Sequence, residues 1–252
     1  MAFDAVPEIY DRVRPSYPDA LFDELFSHFS GNPGVLEIGP GTGQATRSLL
    51  ARGARVTAAE PGPQMAGFLR QKLAGEHRLA IINAKFEDIS AAEPFDIVFA
   101  ATSFHWVDRA VRLQKAHDAL RPGGALAIVS TNQVRSRADR GYFDACQPIY
   151  QKYFPDEERT VLQTPETIVP AELAEIDESA LFGPAALHRY RWDQTYTTTQ
   201  YADLVRSYSN TNIMHAAARD ALVAELCALA DSDFGGSVTR PLVITLTLSF
   251  RT

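Results

Sequence analysis

The run Val35-Leu36-Glu37-Ile38-Gly39-Pro40-Gly41-Thr42-Gly43-Gln44-Ala45-Thr46 narrows the choice of fold more than any other part of this chain. A short apolar stretch, three glycines at alternate positions and the opening of a helix-compatible segment follow one another: strand, turn, helix. Glycines leave the turn almost bare of side chains, so a ligand can lie against its backbone. A dinucleotide fingerprint requires G-x-G-x-x-G or G-x-G-x-x-A, the third small residue allowing close helix–strand packing. Counted from Gly39 the sixth position is Gln44, and counted from Gly41 it is Thr46. Neither register fits. The bland alternative is a tight strand–helix turn with no ligand.

Around this turn the pattern alternates from about residue 34 to 130. Strand-like runs fall at 34–39, 55–60, 79–82, 95–100 and 125–130, with helix-compatible segments at 42–51, 63–73 and 108–120. In the last, Asp108 is an expected N-cap, Leu113, Ala116 and Leu120 share a face, and Pro122-Gly123-Gly124 is expected to stop the helix. Short apolar strands separated by helices predict an α/β fold, a mostly parallel sheet covered on both faces. Ligands of such sheets bind at the carboxyl ends of the strands, where the glycine turn falls. Residues 18–29 carry an apolar helical stripe (Leu21, Phe22, Leu25, Phe26). Residues 133–185 lose the alternation and read as helical insertions. A sixth strand is expected at 187–192, helices at 198–208 and 216–230, and a terminal strand at 242–250. The resulting division is an N-terminal cap and helix (1–33), a cofactor-binding core (34–132), and a helical lid with C-terminal strands completing the sheet (133–252).

Composition removes several function classes. A net charge of −7 with no basic block argues against nucleic acid or an anionic membrane as the main partner. Cys146 and Cys227 form no C-x-x-C, and the six histidines show no metal-ligand spacing, so no metal site is expected. The N-terminal Met1-Ala2-Phe3-Asp4-Ala5 lacks the basic and apolar regions of a signal peptide, and no apolar run approaches the ~20 residues needed to span a bilayer. These features predict a cytoplasmic location. Oligomeric state is not readable here.

The form E-x-G-x-G-x-G, opening at Glu37, resembles motif I of the class I S-adenosylmethionine-dependent methyltransferases. The resemblance implies a Rossmann-like sheet with an antiparallel terminal strand and a mainly helical lid insertion, and S-adenosyl-L-methionine as cofactor. Glu37, Gly39, Gly41 and Gly43 are then implied at the cofactor, Gly41 and Gly43 letting the methionine moiety and ribose approach the backbone. Glu60 follows Gly43 by seventeen residues at the end of the second strand. A carboxylate there can accept hydrogen bonds from both ribose hydroxyls, as the acid of dinucleotide enzymes does too. Pro61 and Met65 are implied beside it. The segment Asn83-Ala84-Lys85-Phe86-Glu87-Asp88-Ile89 matches the stretch that forms the adenine pocket, with Phe86 on the adenine face and Glu87 or a backbone group at the exocyclic amine. Lys85 stands where many relatives have Asp. A core position for Phe86 is the alternative.

The strand Phe95-Asp96-Ile97-Val98 and the following Phe104-His105-Trp106-Val107 resemble the type 11, small-molecule branch that includes trans-aconitate methyltransferase. The resemblance implies that Ala100 and Ala101 offer carbonyls to the cofactor's ammonium. Phe104 and Trp106 would line the substrate side, and His105 with Trp106 would face the transferred methyl, an aromatic surface suiting a sulfonium cation. The N-terminal Tyr10-Asp11-Arg12-Val13-Arg14-Pro15-Ser16-Tyr17-Pro18 resembles a segment of the same branch that folds over the cofactor. Tyr10 would cover the methionine end and Arg14 pair with a carboxylate of cofactor or substrate. Tyr208, in Arg206-Ser207-Tyr208-Ser209-Asn210, is a substrate-wall candidate. The likeness is strong over 34–130 and loose over 133–252.

The reaction so implied is in-line transfer of the sulfonium methyl to an oxygen, nitrogen or carbon nucleophile of a small acceptor, an organic acid or an aromatic or other metabolite. A hydroxyl or amine acceptor must lose a proton, and His105 is the candidate base. A carboxylate acceptor needs none, and His105 would then orient it. Two rivals remain: an NAD(P)-linked reductase, disfavoured by the failed fingerprint and the lack of a Y-x-x-x-K pair, and a non-catalytic cofactor-binding module. No G-x-S-x-G elbow supports serine chemistry.

Overall fold

In the computed structural model, residues 7–90, 93–158 and 160–252 are described; the stretch 1–5 read above for leader features lies outside them. The chain divides into two units, one formed by Ser16–Thr131, Val169–Tyr190 and Ile244–Thr252, the other by Met1–Pro15, Asn132–Ile168 and Arg191–Val243.

The first unit carries the alternating pattern. Helix α1 (Pro7–Val13) belongs to the other unit. Next come α2 (Asp19–Ser27), β1 (Gly34–Ile38), α3 (Gln44–Ala51), β2 (Arg55–Ala59), α4 (Pro63–Lys72), β3 (Leu79–Ile82), β4 (Phe95–Ala101), α5 (Arg112–Ala119) and β5 (Leu120–Gln133). The strands β1, β2, β3, β4 and β5 are joined by parallel pairings. Their centre is apolar on both faces: Val35, Leu36, Val98 and Phe99 are wholly buried, as continuous hydrophobic runs in a covered parallel sheet require. One face packs Leu36, Ile38, Val98 and Ile128 with Phe86, Phe104 and Ile176. Phe22 of α2 stacks on Phe99, ring centroids 6.1 Å apart.

At the amino ends of the strands Asp96 ties three of them together. It accepts the Gly34 N–H at 2.7 Å and the Arg121 Nε–H at 2.6 Å. Helix α5 is shorter than 108–120: Val111 is its N-cap, and Asp108 instead accepts the N–H of Ala110 (2.9 Å). The short polar side chain closes its own turn before the helix can begin. Nor does Pro122-Gly123-Gly124 stop the helix. Leu120 already pairs with Phe95, and the glycines form an irregularity inside β5, where the register jumps from Phe95↔Leu120 to Ile97↔Ala125. A Cβ on Gly124 would lie 2.9 Å from the Arg121 carbonyl oxygen and 3.0 Å from that of Asp96, so only glycine fits this bulge.

The remaining elements are α6 (Tyr142–Tyr153), α7 (Ala171–Glu178), β6 (Ala186–Thr197), α8 (Thr198–Arg206), α9 (Ser209–Asn212), α10 (Ala216–Asp233) and β7 (Ser237–Phe250). Sheet order is β3-β2-β1-β4-β5-β7-β6. The C-terminal strand runs antiparallel to β5, since Arg251 bonds back to Gly124 and Val134 to Pro241. Both late strands are longer than their apolar runs suggest, and half of the β6 positions are exposed.

The second unit is built from α1, α6, α8, α9 and α10 with parts of β5, β6 and β7. Tyr142 is the hub of its core, edge-on to Tyr201 and Phe234 with centroids 5.3 and 5.1 Å away. Its hydroxyl donates to the Leu226 carbonyl at 3.1 Å. A capping box, Thr197 with Gln200, starts α8.

Candidate active site

Strand order reverses between β1 and β4, and the loops after β1, β2, β3 and β4 gather at that point, where open α/β sheets bind ligands. The turn after β1 holds Gly39, Gly41 and Gly43 at φ +61°, +58° and +88°. Two of these glycines make room for protein. A Cβ on Gly39 would lie 2.7 Å from Ser103 Cβ, and one on Gly43 2.6 Å from Leu69 Cδ1. The side of Gly43 is therefore taken by α4. From α4, Lys72 Nζ donates to the Thr42 carbonyl at 3.0 Å and pins the turn.

Glu60, 6% exposed, sits immediately after β2. Its Oε2 accepts the N–H of Gly41 at 3.0 Å and its Oε1 the N–H of Gly62 at 2.8 Å. Asn83, after β3, donates to the carbonyls of Glu60 (2.8 Å) and Pro61 (3.1 Å), so three loops are fastened to one another. Met65 is buried in the first turn of α4. Glu37 lies beneath the turn, 1% exposed, and accepts the Thr46 hydroxyl at 2.7 Å. Burial pushes its carboxyl up to about 8, against the pull of the Thr46 hydrogen bond and reinforced by the Glu60 charge. It binds strand to helix beneath the glycine turn.

Both residues read into the adenine pocket lie in the 3₁₀ turn after β3. Phe86 is 2% exposed and packs in the core, because the 3₁₀ turn Phe86–Asp88 directs its ring inward. Glu87 accepts the Asp108 N–H at 3.1 Å, linking the loops after β3 and β4.

Beyond β4, Ala100 is buried between Ile38 and Ile128, and Ala101 pairs with Val129. Thr102 follows at φ +53°, a costly conformation for a β-branched residue, with Tyr17 Oη 3.4 Å from its Oγ1. Ser103, missed by the sequence reading, donates to the Ile38 carbonyl and joins this loop to β1. The 3₁₀ turn Phe104–Trp106 then separates its side chains. Phe104 is 3% exposed and packs in the core, with the Arg112 guanidinium 4.8 Å above its ring. His105 and Trp106 point outward, their rings 4.9 Å apart, Trp106 being 62% exposed. Desolvation lowers the His105 pKa below its ordinary value; Glu172 of α7 opposes the shift and Arg112 adds to it. The shift favours the neutral imidazole, the form that accepts a proton.

Glu172, whose Oε1 accepts the Ser130 hydroxyl at 2.9 Å, and the Arg112–Glu175 pair carried no sequence signal, since α7 reaches the loop from more than sixty residues away. Tyr10, Arg14 and Tyr208 belong to the second unit. There the Arg14 guanidinium lies 4.9 Å from the Tyr10 ring and 5.2 Å from that of Tyr208, and Nη2 donates to the Ser207 carbonyl (3.1 Å).

Sheet and site define a Rossmann-like domain built to receive a nucleoside cofactor. Residues 36–128 match the family described as a methyltransferase domain. An uncharacterized methyltransferase of Mycobacterium tuberculosis is 35% identical over 129 residues, 51% of each chain. One from Geobacillus kaustophilus is 28% identical over 173 residues, 60% of this chain and 80% of that one. The chain thus spans about half the length of the Mycobacterium relative it matches. Phosphoethanolamine N-methyltransferase 2 of Haemonchus contortus, solved in complex with S-adenosyl-L-methionine, superposes with a TM-score of 0.54 at 15% identity, covering 99% of this chain and 56% of that one. That likeness concerns the fold. Among the described residues no helix is long and apolar enough to cross a membrane, and no cluster of ligating side chains could hold a metal.

Proposed function

We propose that the protein is an S-adenosylmethionine-dependent methyltransferase acting on a small-molecule acceptor. The observation that carries this reading is the Glu60 carboxylate seated against the bare backbone of Gly41 at the point where strand order reverses. A carboxylate beside backbone that Gly41 leaves bare of side chains suits a ribose diol, whose two hydroxyls are hydrogen-bond donors. The strand order also supports the choice of nucleoside: antiparallel β7 lies between β5 and β6, a departure from the 3-2-1-4-5-6 order of dinucleotide-binding sheets. The methyltransferase-domain match over 36–128 and the cofactor named for the Haemonchus structure point the same way.

When bound, S-adenosylmethionine supplies a methyl already activated on a sulfonium. The protein's part is to hold, align and exclude water. Glu60 binds the ribose, the Gly39–Gly43 turn and Met65 border the nucleoside, and the Ala100 and Ala101 backbone receives the ammonium. Trp106 offers an aromatic wall to the acceptor. With a hydroxyl or amine acceptor, neutral His105 takes its proton.

Calorimetric titration of the full chain with S-adenosylmethionine, S-adenosylhomocysteine and NADH tests the reading. Heat is expected with the first two and none with NADH; binding of NADH alone would overturn it.

A further inference from the structure

The second unit holds a cavity of about 220 Å³ that the methyl-transfer reading does not use. It lies among α6, α8 and the start of β7, lined by Tyr142, Tyr150, Phe154, Tyr201 and Tyr208, with Arg240 of β7 on its wall. The setting of Arg240 is unusual. Its Nε and Nη2 both donate to the neutral side-chain oxygen of Gln133, at 3.1 and 2.9 Å, and its guanidinium lies 5.7 Å from the Tyr208 ring. Among the described residues it has no carboxylate partner, unlike the buried Arg112. A guanidinium set among phenols and an amide has its charge uncompensated, and interiors seldom tolerate that without an anion. Burial works to discharge it, yet the surrounding Tyr208, Tyr201, Tyr196 and Tyr150 outweigh that effect, so it stays cationic.

We propose that this cavity binds a small aromatic monocarboxylate, its carboxylate paired with Arg240 and its ring held against the tyrosine walls. Planar guanidinium and carboxylate pair two atoms to two, and aromatic walls favour a ring over a flexible chain. The volume suits a single ring and is too small for a nucleotide. Asp139, Glu157 and Glu158 also line the cavity, the last two exposed. Further carboxylates on a ligand would face these acids, which disfavours di- and tricarboxylates. The inference stands on this unit alone and does not depend on methyl transfer.

Titration calorimetry of the full chain with benzoate, benzamide and propane-1,2,3-tricarboxylate tests it. Benzoate is expected to bind, and both other probes at least about tenfold more weakly, as loss of a charge-assisted pair predicts. Arg240→Gln should weaken benzoate by a similar factor. Gln147→Trp, which fills the cavity from α6 without touching Arg240, should also abolish binding and decides the matter if Arg240→Gln does not fold. No heat with benzoate, equal affinity for benzamide or the tricarboxylate, or unchanged benzoate affinity in Gln147→Trp overturns the proposal.

Discussion

Glu60 Oε2 accepts the N–H of Gly41 at 3.0 Å, so one carboxylate both closes β2 and fixes the shape of the turn after β1. A glutamine at this position keeps one oxygen but turns its amide N–H₂ toward a second backbone donor. Glu60→Gln is therefore expected to weaken S-adenosylhomocysteine by about tenfold to a hundredfold, the scale of a lost charged hydrogen bond. Calorimetry reads this directly, and an unchanged dissociation constant would separate Glu60 from the ligand.

Glu37 makes stability depend on pH in the direction opposite to an ordinary salt-bridged acid. Its folded pKa, about 8, lies above the unfolded value of 4.5, so between these limits the folded chain binds more protons than the unfolded one. Stability from this group is complete below pH 4.5 and is lost as pH rises through 8. Glu37→Gln keeps an acceptor for the Thr46 hydroxyl and never ionises. We expect its Tm to match the wild type near pH 5 and exceed it by at least about 3 °C at pH 8.5, as ~1 kcal/mol gives in a chain of this size. Parallel melting curves at both pH values, with no crossover, would contradict this.

What the sequence made legible follows from how local each signal is. The strand–glycine–helix run and the period of the flanking segments are contiguous in the chain, so the parallel core and the place of Glu60 could be read directly. Phe86 and Phe104 could not be assigned that way: a large apolar residue in a loop looks the same whether it faces a ligand or the core, and here both face the core. Glu172 meets Ser130 of β5, and Glu175 meets Arg112 of α5, only through folding, as does Gln133 with Arg240. No spacing rule connects residues so far apart.

His105 is expected to titrate below its ordinary range, with the direction set by its neighbours. Removing the Glu172 charge takes away the attraction that favours the imidazolium, so Glu172→Gln should lower the His105 pKa further. The NMR titration of the imidazole ring measures the shift independently of turnover. With a hydroxyl or amine acceptor, the acidic limb of kcat/KM should move in step, and His105→Ala should lower kcat by about 10²–10⁴. A ring pKa that rises in Glu172→Gln would refute the electrostatic account.

Gly43 and Gly31 separate backbone strain from collision. Both have positive φ, +88° and +71°, yet a Cβ on Gly31 meets nothing within 4 Å while one on Gly43 meets Leu69 Cδ1 at 2.6 Å. Leu69 is wholly buried and has little room to move. Gly31→Ala should cost about 1–2 kcal/mol from the left-handed conformation. Gly43→Ala should cost about 1–3 kcal/mol beyond that, from overpacking against α4. Chemical denaturation compares the two, and equal losses would mean that α4 yields freely.

The buried pair of Arg112 and Glu175 couples stability to the active-site turn. Arg112 Nε donates to Glu175 Oε1 at 2.9 Å, Nη2 to Oε2, and Nη1 to the Phe104 carbonyl at 3.1 Å, while Arg109 Nε stands 3.5 Å from the same carboxylate. Glu175→Gln leaves a desolvated guanidinium without its counter-charge and should cost about 3–5 kcal/mol. Replacing both partners with apolar residues of similar size, Arg112→Met with Glu175→Leu, should cost less than either single change, because no charge is left stranded. Yet the double variant also loses the bond to Phe104, which begins the turn bearing His105 and Trp106. It should therefore recover stability without recovering kcat. A double variant fully active and as stable as wild type would show that the pair does not hold the turn.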